Sequence, residues 1–218
     1  PGAWQLHGVF HKELRKHRKM VEDGGAKQQR QREVAEGQAR IAAQSGDKYE
    51  ELLAEGIRYG SQQDYRRAAK AFREAIALRP DKPVAYFNLG ATLVGSGHNV
   101  EAAQWFLEAK EHYPVGSENW AKTTARAFTS LMTCAEVAKP EWWNDEGLKA
   151  LSARVLRAAP NDQAANLMRA HVLSGDCFGA WELGPRSAAE LKKAATHYDR
   201  ASVLCHAPVV KAHFAGAA

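Results

Sequence analysis

Residues 52–80 read LLAEGIRYGSQQDYRRAAKAFREAIALRP, and residues 85–114 read AYFNLGATLVGSGHNVEAAQWFLEAKEHYP. The second stretch follows the first in fixed register at a spacing of 34 residues. Gly56, Tyr59, Ala68, Phe72, Ala75 and Pro80 are matched by Gly90, Leu93, Ala102, Phe106, Ala109 and Pro114. Each unit reads as a pair of antiparallel helices. In the first, Tyr49–Gly60 and Asp64–Leu78 are the two helices; in the second, Pro83–Ser96 and Val100–Tyr113. Glycine and alanine stand where the partners must approach closely. Tyr59 and Phe72 fill the space between them, since buried aromatics supply much of the contact area. Pro80 cannot continue a helix and closes the unit. Gly97 permits the tight turn inside the second pair.

A period of this length, ending in proline, is similar to the tetratricopeptide repeat (TPR). Residues 49–116 resemble two consecutive consensus TPR units. The C-terminal half resembles the family more loosely. There the period lengthens to 46 residues, with Trp120, Leu148, Ser152, Val155 and Pro160 aligning with Asn166, Ala194, Tyr198, Ala201 and His206. Each later unit therefore carries about three extra helical turns, or a loop of similar length. The fold expected is all-α: a TPR-like, right-handed superhelical solenoid of antiparallel helix pairs with an N-terminal helical extension. Its units fall at 49–82, 83–116, 117–162 and 163–207, followed by a partial C-terminal helix. Residues 1–48 form the arm and linker.

Composition agrees. The chain has 218 residues, 45% of them hydrophobic, enough for one solenoid domain. Valine and isoleucine never alternate over the length of a strand. No apolar run reaches the ~18 residues of a membrane span. Cys134, Cys177 and Cys205 are an odd number without a CxxC pair. That fits helix packing in a reducing intracellular compartment rather than a disulfide framework. The chain opens at Pro1 without a methionine, which leaves organelle import after removal of a leader compatible with the sequence. Neither the cysteines nor the histidines have metal-ligand spacing.

Residues 1–48 hold ten Lys/Arg against six Asp/Glu, most of the net +5 of the chain. Written as a helix, Leu6, Phe10, Leu14, His17 and Val21 form one stripe; Lys12, Arg15, Lys16, Arg18 and Lys19 line the other side. Such an arm either packs its apolar stripe locally or meets an acidic partner, RNA phosphates or an anionic membrane surface. No stacking aromatics or recognised nucleic-acid motif accompany it. Residues 24–46 read as a polar linker helix whose only large apolar residues are Val34 and Ile41.

Signatures of chemistry are missing. The sequence has no phosphate-binding glycine loop, GxSxG or HExxH, and no cofactor is called for. The glycines of GSGHN belong to a repeat turn. Trp142–Trp143 and Trp181 are the unusual local features, each readable as internal packing or as a partner anchor. Asn144 or Asp145 is placed to cap the helix that follows.

The family resemblance implies a concave groove made by the first helix of each pair. Its lining would be Leu53, Ala54, Ile57, Val84, Phe87, Asn88, Ala91 and Val94, with Ala121, Lys122, Ala125 and Phe128 from the third unit. Receptors for chaperone C-terminal tails in this family use Lys and Asn at the positions of Leu53 and Ile57. Only Asn88 fits that clamp, so a chaperone-tail receptor is not implied. An apolar groove suits an apolar helix face, from a partner or from the chain's own N-terminal segment. The function expected is a non-catalytic protein–protein scaffold or assembly subunit. The alternative is an RNA-associated helical-repeat protein that uses the basic arm.

Overall fold

The computed structural model describes residues 24–37, 46–134, 139–176 and 180–204. The arm cations Lys12, Arg15, Lys16, Arg18 and Lys19 and the expected C-terminal partial helix lie outside them. Among the described residues the chain is all-helical, with no strand. Its helices are α1 (24–37), α2 (Lys48–Ser61), α3 (Tyr65–Leu78), α4 (Pro83–Gly95) and α5 (Asn99–His112). They continue with α6 (Glu118–Thr133), α7 (Asp145–Ala158), α8 (Gln163–Ser174) and α9 (Ala188–Leu204).

Short polar side chains start most of these helices by accepting from amide groups that have no partner in the first turn. Asp47 accepts from the Tyr49 N–H at 3.0 Å, Asp64 from Arg67 at 3.1 Å and Ser117 from Trp120 at 3.2 Å. Asn144 accepts from Gly147 at 2.8 Å and Asp162 from Ala165 at 2.9 Å. Helix α4 has no such cap; it begins with Pro83, whose missing N–H removes one of the orphan donors. Ser187 and Glu190 cap α9 reciprocally, each accepting from the other's backbone N–H.

From α2 onward each helix packs on the next through α6, then α7 on α6 and α8, and α9 on α8; α6 also meets α8 directly. This is a TPR-like helical-repeat solenoid. Phe72, Ala68, Ala75, Phe106, Ala102 and Ala109, matched in the sequence register, are all buried. Arg73 donates to Glu101 at 2.7 Å, tying α3 to α5. Tyr59 departs from the sequence expectation: it is only partly buried, with Arg58 and Arg67 over its ring at 4.5 and 4.8 Å, whereas its counterpart Leu93 is in the core.

The later helices keep the 46-residue register in their interior. Trp120 and Asn166, Leu148 and Ala194, Ser152 and Tyr198, and Val155 and Ala201 are all buried. The additional residues lie largely between the helices of a pair, at 134–144 and 175–187. Trp142 and Trp143 therefore stand in a turn ahead of α7 rather than on it.

Candidate functional site: the open face of the first helices

The residues expected to line the groove separate into two sets. Ile57 is 36% exposed, Val84 43% and Val94 45%, and Ala91 is also exposed. Leu53, at 7%, is a core residue, and Ala54 is buried with it. Ala121, Ala125 and Phe128 are fully buried. Phe87, Asn88 and Lys122 are intermediate. Placing Leu53 on the ligand surface is thus corrected: it packs with Tyr49, Leu52 and Phe72 inside the first pair.

Phe87, which lies 34 residues after Leu53, leans inward too. Its ring meets Phe106 edge-on, with centroids 5.5 Å apart. Asn88 accepts the Thr92 hydroxyl on its backbone carbonyl at 2.8 Å. Lys122 pairs with Glu118 at 2.5 Å, which offsets its charge locally.

The open apolar face stops at α6 for a structural reason. Ala125 and Phe128 stand 34 residues beyond exposed Ala91 and Val94, yet both are buried. Phe128 is covered by Trp143 (centroids 5.4 Å) and Trp181 (5.9 Å), whose rings meet each other nearly perpendicularly at 5.8 Å. Trp143 and Trp181 precede α7 and α9 and are themselves buried, so both are internal packing residues. The Trp143 indole N–H donates to the Ala180 carbonyl at 2.8 Å, joining the residues ahead of α7 to those ahead of α9. Lys139 lies over the Trp143 ring at 5.1 Å and donates to the Leu131 and Cys134 carbonyls. Arg186 forms an ion pair with Asp145. Its hydrogen bonds hold the Asp145 carboxyl at about 2, below the usual carboxylate range.

Burial shifts the titration of polar groups elsewhere. Burial pushes the Tyr49 phenol up to about 12 and lowers the His171 imidazole below its ordinary value. His171 Nδ1 lies 3.1 Å from the Tyr198 hydroxyl and 2.9 Å from the Asp176 carbonyl. Among the described residues no group of three His, Cys, Asp or Glu is placed to hold a metal ion, and no helix is long and apolar enough to cross a membrane.

One surface went unread in the sequence. Lys27, Arg30, Gln31 and Val34 of α1 line a cleft with Ile57 and Ser61 of α2. The signal was their spacing, which places them on one helical stripe; the polar composition of residues 24–46 masked it.

Residues 53–117 match the family model of the tetratricopeptide repeat. No curated protein matches the chain. With the helix pairs described above, the match defines a TPR-like repeat protein. The repeat supports a general role in protein–protein interaction, and its family is typically a non-enzymatic scaffold.

Proposed function

We propose that the chain is a non-catalytic scaffold within a larger assembly, and that the open face of α2 and α4 receives an amphipathic helical or extended segment of a protein partner. One observation carries this reading: Ile57, Val84, Ala91 and Val94 remain exposed on successive first helices, while Ala125 and Phe128, the α6 equivalents of Ala91 and Val94, are buried, Phe128 under the chain's own Trp143 and Trp181. Apolar surface gathered in this way is typical of interaction sites, and an amphipathic segment covers it with its own apolar stripe.

A photo-crosslinking residue at Val94, compared with one at exposed Lys70 on α3, tests the reading. Specific crosslinks to a partner at position 94 and not at 70 support it. Crosslinks favouring position 70 contradict it.

A further inference from the structure

We propose that the cleft between α1 and α2 docks an acidic amphipathic helix of a protein partner. The inference rests on the reading of the first-helix face as a partner surface, and names the partner chemistry at its N-terminal end.

The geometry combines apolar and cationic elements. Val34 is 60% exposed and shares the cleft with Ile57. Lys27 and Arg30 stand on the same stripe of α1, both exposed and without an ion-pair partner among the described residues. At about 3.6 residues per turn, Glu33 and Glu36 fall on other sides of the helix and leave the cleft cationic. Buried Ala35 also lines the cleft, and the Arg32 Nε–H donates to the Ser61 carbonyl at 3.4 Å, tying α1 to the end of α2. A complementary ligand covers Val34 and Ile57 with aliphatic side chains and sets carboxylates against Lys27 and Arg30.

Other occupants fit less well. In a two-fold contact with a second copy, the same patch faces itself, so Lys27 and Arg30 would meet their own kind. Residues 205–218 contain one Lys and no Asp or Glu, and residues 1–23 hold five Lys/Arg against three acids. Neither stretch carries a net negative charge. Among the described residues no aromatic side chain lines the cleft for base stacking.

Two synthetic peptides of about fifteen residues test this. They share one leucine stripe at helical spacing; glutamates flank the stripe in one and lysines in the other. Each is titrated into the full chain by fluorescence anisotropy, with circular dichroism confirming that every variant is folded. The glutamate peptide is expected to bind at least about tenfold tighter than the lysine peptide. Lys27→Glu combined with Arg30→Glu, and separately Val34→Glu, should each weaken it roughly tenfold, whereas Val94→Glu should not. Equal binding of the two peptides, or indifference to both cleft variants, overturns the proposal. Loss on Val94→Glu but not on Val34→Glu also overturns it, while leaving the open face of α4 as the partner surface. Single-stranded RNA that outcompetes the glutamate peptide, with binding lost on charge reversal but kept in Val34→Glu, assigns the cations to phosphate and overturns it as well.

Discussion

The ring of Phe72 occupies the space that a Cβ on Gly56 would need, with its nearest carbon 2.6 Å from that position. Phe106 stands in the same relation to Gly90 at 2.9 Å. In both pairs the glycine lets the second helix close on the first, and the aromatic ring fills the contact. The repeat register is thus a repeated packing solution, which explains why glycine and phenylalanine recur together.

Gly56→Ala is expected to cost about 1–3 kcal/mol through overpacking against a ring held by its neighbours. Gly60→Ala, on the same helix with nothing within 4 Å of its added Cβ, should be neutral or stabilise by up to about 1 kcal/mol. Urea unfolding of the two variants checks this. Equal midpoints would contradict the packing relation.

A second pair of equivalent positions makes a backbone prediction. Gln63 and Gly97, 34 residues apart, both take left-handed turns, with φ of 62° and 83°. A side chain is strained there. Gln63→Gly should therefore stabilise the chain by about 0.5–1 kcal/mol, the strain relieved less the entropy glycine loses on folding. A lowered thermal midpoint would count against the turn geometry.

The parts legible in the sequence were those set by local repetition. Gly56, Phe72, Ala75 and Pro80 recur with their partners in fixed register, so the helix pairs were readable from spacing alone. Exposure was not, because it depends on what packs across a helix from distant parts of the chain. Leu53 and Phe128 were both assigned to the groove by register. Leu53 is buried within its own pair, and Phe128 is buried by tryptophans 15 and 53 residues further along. The extra length of the later repeats was visible as a 46-residue period, but not that Trp143 and Trp181 would meet over α6. The α1 cleft was missed because its two halves lie in different segments, one of them polar overall.

The Asp145–Arg186 pair predicts an acid dependence. The Asp145 carboxyl is depressed to about 2 in the folded chain, chiefly by hydrogen bonds from Arg186, against about 3.9 when unfolded. A depressed carboxylate stabilises the fold above the unfolded value, and loses that contribution as pH falls through the folded one. Wild type should lose stability between about pH 4 and pH 2. Asp145→Asn should be less stable at neutral pH and show a shallower decline over that window. Urea midpoints measured across this range check it, and parallel profiles for the two proteins would contradict the assignment.

Partner binding at the open face of α2 and α4, proposed above, calls for a probe residue outside the core. Phe87 is a poor probe, because it is half-buried against Phe106 and a charge there would also disturb the core. Val94 and Ile57 are exposed, so a charge there leaves the core intact. The most direct measurement is quantitative affinity purification from the native source, comparing wild type with Ile57→Glu/Val94→Glu and with Lys70→Glu on α3, each verified as folded. The Ile57/Val94 variant is expected to recover its specific partners at least about tenfold less well, while Lys70→Glu should recover them as wild type does. Full recovery by a folded Ile57→Glu/Val94→Glu protein would contradict it.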